Sequence, residues 1–168
     1  TLALESFEDL AAANTFTADS FVLPDFTVTG NYTSPCLGIW NEPFVGGFAT
    51  DGANWLGYQT SDNLTLVFEF DVPINTFGLY ITDWGDFGTG VLTFANEGGD
   101  FFQVAVTPQS NGNSMFFGAW NDSMIFTIVT FTQTITGEFY GVDEIYYGMT
   151  STVAVEAKDW SAVKALFD

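Results

Sequence analysis

The sequence predicts an all-β fold, an antiparallel β-sandwich or jelly roll that ends in a short C-terminal amphipathic helix. Apolar and polar residues alternate in short runs. In residues 64–70, for example, Leu64, Leu66, Phe68 and Phe70 would share one face of a strand. The gaps between runs are rich in Gly, Asn, Asp, Pro and Ser, which favour turns. Short strands at this regular spacing are typical of sandwiches and jelly rolls.

The N-terminal third contains weaker strand signals. We predict a first strand within residues 1–10 and two short strands at residues 21–23 and 26–28, separated by Pro24. Residues 30–57 are the least regular part and carry several aromatic side chains. A long loop of this kind either packs its rings on the core or forms a binding surface.

The central part of the chain carries the clearest strands. Pro73 has no N–H to donate, so we expect it to break the ladder after residues 64–70. Further strands are predicted at residues 77–82, 91–95, 101–107, 115–119, 124–132 and 139–147.

The last residues differ in character, so we divide the chain into a sandwich domain, residues 1–148, and a tail, residues 149–168. Residues 150–155 favour a strand. Residues 159–167 favour a helix, with Asp159 as N-cap and Lys164 near the negative end of the helix dipole. The predicted helix has one apolar stripe, formed by Trp160, Val163 and Phe167.

The charge balance excludes several classes of partner. The 168 residues include 21 acidic and 2 basic side chains, and the net charge is −19. The basic residues are Lys158 and Lys164, so nothing in the sandwich domain can neutralise phosphates, and nucleic-acid binding is excluded. No apolar run is long enough for membrane insertion. The uncompensated carboxylates repel one another, and high salt or bound divalent cations would relieve this repulsion. The composition therefore indicates a halophilic origin, specific calcium binding, or both.

The residue types also argue against catalysis. The chain has no His, so it cannot form a Ser-His-Asp triad, and we expect no enzyme. Carboxylate pairs leave glycoside hydrolysis as a formal option, with Asp83 and Asp86 flanking Trp84. Cys36 is the only cysteine, so it is expected to be buried rather than disulfide-bonded. The chain starts at Thr1, which suggests that a signal peptide has been removed and that the protein is secreted, extracellular or at the cell surface.

Tryptophans in or beside loops make carbohydrate binding an alternative. Flat aromatic faces beside carboxylate acceptors suit sugar rings, although the same rings could pack inward. The candidates for this polysaccharide site are Trp40, Trp55, Trp84, Asp86 and Trp120.

Short pieces of the chain resemble the secreted bacterial β-sandwich proteins that usually carry a PEP-CTERM sorting tail. The sorting tail itself is absent after Gly148. The matching pieces are residues 7–10, 72–78, 90–94, 113–118, 126–131 and 140–148. This resemblance implies a secreted β-sandwich and marks a fold rather than an activity.

The Phe-Glu pair of the first strand and the Val-Asp-Glu run of the last strand are similar to those of jelly-roll carbohydrate-binding modules. In those modules an acidic residue from each end of the chain holds a structural calcium ion. The resemblance therefore implies Ca²⁺ at Glu8 and Asp143, with Asp9 as a further ligand. Calcium takes about 6–8 oxygen ligands, so backbone carbonyls would have to contribute.

Taken alone, the sequence favours a secreted, non-enzymatic structural protein that assembles with copies of itself into a filament, surface layer or matrix, stabilised by calcium. The basic side chains lie only in the tail, whereas the charged side chains of the sandwich domain are all acidic. The tail of one copy would therefore be attracted electrostatically to the sandwich domain of another. The predicted self-assembly residues are Lys158, Trp160, Val163, Lys164 and Phe167. The alternative is a carbohydrate-binding module that uses loop tryptophans.

Overall fold

A computed structural model describes residues 2–31, 35–44, 46–59, 65–83, 90–107, 113–133 and 139–150. Within these ranges the chain forms strands and no helix. Accordingly, the described part contains no helix that could cross a membrane. The predicted C-terminal helix, residues 159–167, and the rest of the tail from residue 151 onward lie outside the described residues.

The described residues form twelve strands. In chain order they are β1 (Leu2–Glu5), β2 (Ser20–Val22), β3 (Phe26–Gly30), β4 (Leu37–Trp40), β5 (Trp55–Gln59), β6 (Thr65–Ile74), β7 (Thr76–Thr82), β8 (Gly90–Ala95), β9 (Phe101–Val106), β10 (Ser114–Trp120), β11 (Phe126–Gln133) and β12 (Phe139–Gly148).

The strands are arranged in two six-stranded sheets, and every strand pair is antiparallel. The first sheet has the order β10-β7-β12-β5-β4. The short strand β1 lies on the same side of β12 as β5, but pairs with the later residues of β12. The second sheet has the order β2-β3-β6-β11-β8-β9. The predicted all-β antiparallel sandwich is therefore confirmed.

The core between the sheets is built largely from phenylalanine rings. Phe68 of β6 and Phe77 of β7 are fully buried, and their ring centroids lie 5.3 Å apart, which joins the two sheets. Phe94 of β8 extends the contact, with its centroid 6.1 Å from that of Phe77. Burying each such side chain stabilises the fold by about 1.5–3 kcal/mol, which accounts for the phenylalanine-rich composition.

Two strands lie where the sequence was expected to form an irregular loop. β4 falls within residues 30–57 and β5 begins there, at Trp55, and nearly every residue of both strands is buried. Strands buried on both faces lose the alternation of polar and apolar residues that identifies a half-buried strand. The expectation of a continuous loop was therefore wrong at these two segments.

The prediction that the strand ends before Pro73 was also wrong. β6 runs through Pro73 to Ile74. The pairing of β6 with β11 shifts register between Phe126 and Ile128, opposite this part of β6. Pro73 therefore lies at a ladder irregularity, where the missing N–H interrupts little regular pairing.

Candidate functional site

The outer face of the first sheet, which points away from the core, carries the candidate site. Side chains alternate along each strand, and Leu79 and Met115 point into the core. Their neighbours along each strand, Tyr80 on β7 and Phe116 on β10, therefore point outward. They pair across β7 and β10 as Tyr80 with Phe116 and as Gly78 with Gly118.

A segment that we call the strap, residues 46–54, crosses part of this face. The hydroxyl of Thr82 accepts a hydrogen bond from the Phe48 N–H and lies at donating distance from the Phe48 carbonyl, both at 3.2 Å. Gly46 has a φ of 91° and lies directly against the buried carboxylate of Asp83, where a Cβ would clash. The strap is thus seated on the end of β7.

Asp143 of β12 anchors the middle of the strap. Its Oδ2 accepts hydrogen bonds from the N–H groups of Thr50 at 2.7 Å and Asp51 at 3.2 Å. Its Oδ1 accepts one from the N–H of Glu144 at 2.8 Å. The residue is fully buried, and burial raises the pKa of its carboxyl to about 6 although these hydrogen bonds oppose the shift.

Glu8 anchors the end of the same strap through different atoms. Its Oε1 accepts hydrogen bonds from the N–H groups of Ala53 at 2.9 Å and Asn54 at 2.8 Å. Glu8 and Asp143 therefore both hold the strap, by way of neighbouring amides.

This arrangement does not present a ready calcium site. The carboxylates of Glu8 and Asp143 face N–H donors, whereas calcium needs oxygen ligands. Asp9 is exposed. Among the described residues, no group of three or more acidic, cysteine or histidine side chains is placed to hold a metal ion. Calcium binding at Glu8, Asp9 and Asp143 stays a prediction.

An open cleft of about 480 Å³ lies between the strap and the strands β7, β10 and β12. It is lined by Phe48, Ala49, Thr50, Asp51, Tyr80, Ser114, Glu144 and Tyr146. Glu144 is held in the cleft wall by two hydrogen bonds, from the Thr50 hydroxyl and from the Tyr146 hydroxyl, each at 2.8 Å. Its φ of 46° coincides with a bulge in β12, where the register against β7 shifts between Asp143 and Tyr146.

Two of the rings that line the cleft, Tyr80 and Tyr146, pack against Phe116, and all three are half-buried. The centroid of Phe116 lies 5.2 Å from that of Tyr80 and 6.0 Å from that of Tyr146, with edge-to-face geometry in both pairs. Gly78 makes this cluster possible, because a Cβ at that position would lie 2.5 Å from Phe116 Cζ. The Phe116 ring therefore occupies the space that a side chain at residue 78 would need.

The cleft thus combines aromatic surface with acidic acceptors. Ionised carboxylates accept hydrogen bonds and donate none, and Glu144 and Asp51 both line the cleft. The hydroxyls of Tyr80 and Ser114 add groups that can donate or accept. Such a surface suits a ligand with an apolar face and several hydroxyl donors, and no cation lines the cleft in the described part of the chain.

Two of the predicted sugar-binding tryptophans are not available to a ligand. Trp40 and Trp55 lie in β4 and β5 and are 5% and 1% exposed. The strap covers Trp55, since a Cβ at Gly47 would lie 2.6 Å from Trp55 Cη2. Phe44 stacks on Trp40 with a centroid distance of 4.3 Å. The expectation that these two rings serve as exposed sugar platforms was wrong, because they pack beneath covering residues.

The other predicted site residues divide into two groups. Trp120 is at the end of β10, 38% exposed, on the outer face of the first sheet. Trp84, Asp86 and the predicted self-assembly residues Lys158, Trp160, Val163, Lys164 and Phe167 lie outside the described residues.

Sequence reasoning missed Tyr80, Phe116, Tyr146 and Glu144. Each belongs to a strand that was correctly predicted, at a position opposite to the core-facing ones. The available signal was an aromatic residue on the outward face of a strand, where polar residues are expected. That signal could have identified each of these rings as a candidate for an exposed binding surface, but not that the rings lie together.

Comparisons with known proteins show the fold. No protein-family model matches the chain, and no curated protein is similar to it in sequence. The solved K2 cleaved adhesin domain of Lys-gingipain is 12% identical with a TM-score of 0.56, over 89% of this chain and 100% of that domain. TmCBM61, solved with β-1,4-galactotriose, is 15% identical with a TM-score of 0.52, over 84% of this chain and 92% of that one.

A family 29 carbohydrate-binding module, solved with mannohexaose, is 9% identical with a TM-score of 0.52, over 89% of this chain and 94% of that module. At these identities the likeness concerns the fold alone. The chain therefore shares the β-sandwich of carbohydrate-binding modules and of an adhesin domain. The resemblance to proteins with a PEP-CTERM tail receives no support from these comparisons.

Proposed function

We propose that the chain is a non-catalytic carbohydrate-binding domain that acts outside the cell and holds a sugar in the cleft on the outer face of its first sheet. The observation that carries the proposal is the cleft itself. It brings the rings of Tyr80 and Tyr146 next to the carboxylate of Glu144, within an open volume of about 480 Å³. Phe116 packs edge-to-face against both rings and supports them from beside the cleft.

The chemistry of a sugar ring matches this composition. One face of a pyranose ring consists of C–H groups, which pack on aromatic side chains, and its rim carries hydroxyls. Binding sites commonly combine aromatic walls with a few polar groups at fixed positions. Here Glu144 is held in position by Thr50 and Tyr146, so its carboxylate is oriented before any ligand arrives.

The comparisons support this proposal more than they support the self-assembling structural protein. Two of the similar folds were solved with a bound oligosaccharide. The residues proposed for self-assembly lie in the tail outside the described residues, so association with copies of the chain stays a prediction.

The described acids support a binding role rather than glycoside hydrolysis. Asp143 is fully buried and accepts hydrogen bonds from backbone amides through both of its oxygens. Asp83, an acid of the formal hydrolase option, is only 4% exposed and lies against the strap at Gly46. Both carboxylates therefore have structural contacts that a general acid or base would have to give up.

Affinity electrophoresis through gels containing neutral polysaccharides, together with a glycan array, tests the proposal. We expect the wild type to be retarded by at least one neutral polysaccharide, and Phe116→Ala to lose most of that retardation. Phe101→Ala is the matched control, because Phe101 is 63% exposed on β9 of the other sheet and should bind as the wild type does. Circular dichroism checks that each variant is folded.

Two results would contradict the proposal. The wild type could bind no neutral glycan on the array or in the gels. Alternatively, folded Phe116→Ala could bind as tightly as the wild type, which would place any sugar site elsewhere on the molecule.

A further inference from the structure

We infer that the site takes the interior of an extended, uncharged polysaccharide chain, with Trp120 as a second stacking platform beyond the aromatic cluster of the cleft. This inference rests on the proposed function and goes further, because it assigns the length and the charge class of the ligand.

The positions of Phe116 and Trp120 on one strand carry the inference. Both belong to β10, and the residues between them that point inward, Phe117 and Ala119, pack against the core. Phe116 and Trp120 therefore share the outer face. Four residues of antiparallel strand span about 13 Å, so the Cα atoms of the two residues are farther apart than one sugar ring extends.

The floor between these residues is built from glycine on both strands, and the Phe116 ring itself leans over Gly78. Gly118 lies between Phe116 and Trp120 and pairs with Gly78 of β7. A Cβ at Gly118 would lie 2.6 Å from the Phe77 carbonyl oxygen and 2.9 Å from Gly78 Cα. The two backbones approach too closely there for a side chain, so a ligand that leaves the cleft toward Trp120 crosses the Phe116 ring and then the backbone at Gly118.

Exposure distinguishes Trp120 from the buried tryptophans of the same sheet. Trp120 is 38% exposed, whereas the strap and Phe44 cover Trp55 and Trp40. Trp120 also ends its strand on β10, which is the last strand at this edge of the described sheet.

The charge of the surroundings selects an uncharged chain. Asp51 and Glu144 line the cleft, and the whole protein has a net charge of −19. A polyanion such as a polyuronate would be repelled at the cleft and by the long-range field. Neutral hexose units are not repelled by this field, and their hydroxyls can donate hydrogen bonds to the carboxylates.

Titration calorimetry with oligosaccharide ladders tests the inference. The probes are manno-oligosaccharides and β-1,4-galacto-oligosaccharides from the disaccharide to the hexasaccharide, with polygalacturonate as the anionic probe. We expect wild-type affinity to rise with chain length, and Trp120→Ala to lower hexasaccharide affinity about tenfold, the effect of one lost aromatic contact. Disaccharide affinity should stay unchanged in Trp120→Ala, and Trp120→Phe should retain part of the gain.

The outcomes separate this inference from the proposed function. If Phe116→Ala abolishes binding while Trp120→Ala leaves hexasaccharide affinity at the wild-type value, the site is short and only the inference is overturned. Polygalacturonate binding as tight as that of the neutral ladders also overturns it. If neither these ladders nor any neutral glycan on the array binds, both the inference and the proposed function fail. Phe101→Ala serves again as the control for an exposed ring on the other sheet.

Discussion

Asp143 Oδ2 accepts a hydrogen bond from the Thr50 N–H at 2.7 Å and lies 3.0 Å from the Thr50 hydroxyl oxygen. The two residues are 93 positions apart, and this contact ties the last strand to the strap. The same Thr50 hydroxyl lies 2.8 Å from Glu144 Oε2, in the wall of the cleft. The buried anchor and the proposed binding surface are therefore one connected hydrogen-bond network.

Removing the anchor should destabilise the fold. In Asp143→Ala, the partly buried amides of Thr50 and Asp51 lose their acceptor, and we expect a loss of roughly 1–3 kcal/mol in the free energy of unfolding. Urea unfolding measures the change. Asp122→Ala removes an exposed carboxylate and should change stability by less than about 0.5 kcal/mol. Equal unfolding midpoints for the two variants would contradict the anchoring role.

The raised pKa of Asp143 predicts a pH dependence of stability. The folded-state pKa is about 6 against an ordinary value of 3.8, so the folded state binds more protons than the unfolded state between these values. The contribution of Asp143 to the free energy of unfolding is therefore fully present below its pKa in the unfolded state. It is lost as the pH rises through its pKa in the folded state. We expect the stability of the wild type relative to Asp143→Asn to fall from about pH 4 to pH 6 and then level off.

Comparing the two proteins at each pH removes the contribution of the carboxylates that they share. Urea unfolding in buffers of fixed ionic strength provides the measurement. A stability difference that stays constant across this range, or that rises with pH, would show that the pKa of Asp143 is not raised in the folded protein.

A calcium titration tests the predicted metal site at Glu8, Asp9 and Asp143. The carboxylates of Glu8 and Asp143 already accept amide hydrogens, so an ion would have to displace those donors. The predicted site nevertheless requires a higher melting temperature in calcium than in EDTA at fixed ionic strength, since a ligand that binds only the folded state stabilises it. The increase should disappear in Asp143→Asn, and equal melting temperatures of the wild type in calcium and in EDTA would contradict the site.

Gly118 is expected to be intolerant of a side chain. In Gly118→Ala the new Cβ would press on the Phe77 carbonyl and on Gly78, so β10 would have to move away from β7. We expect a loss of about 1–3 kcal/mol, the usual range for overpacking. Gly98→Ala is the control, because a Cβ there meets mainly the tip of the Asn96 side chain. Thermal unfolding of both variants provides the test, and equal melting temperatures would argue against close strand approach at Gly118.

The tail can be tested separately from the sandwich. Asn75 bonds Thr150 through its side-chain oxygen at 2.8 Å and its nitrogen at 3.0 Å, so a truncation should retain Thr150. We expect a chain ending at Thr150 to stay folded and to bind sugar. The prediction that the tail drives self-assembly also requires this truncated chain to lose any association seen for the full chain by light scattering. Association that persists after truncation would place the interface elsewhere.

The sequence by itself determined the class of fold. Alternation such as that of Leu66, Phe68 and Phe70 is local, and a period of two commits a segment to a strand with one buried face. The absence of His and the lack of basic residues before Lys158 likewise narrowed the chemistry before any contact was known. These properties depend on residues near one another in the chain.

Tertiary structure decided which outward faces are covered and which residues meet. Tyr80 and Phe116 form one aromatic cluster only because β7 and β10 pair, and no local pattern specifies that register. In the sequence Trp40 and Trp55 are candidate sugar platforms, but in the structure Phe44 and the strap cover them. Local alternation gives each strand two faces, but only the packing of distant segments determines whether an outward face meets solvent, another segment or a ligand.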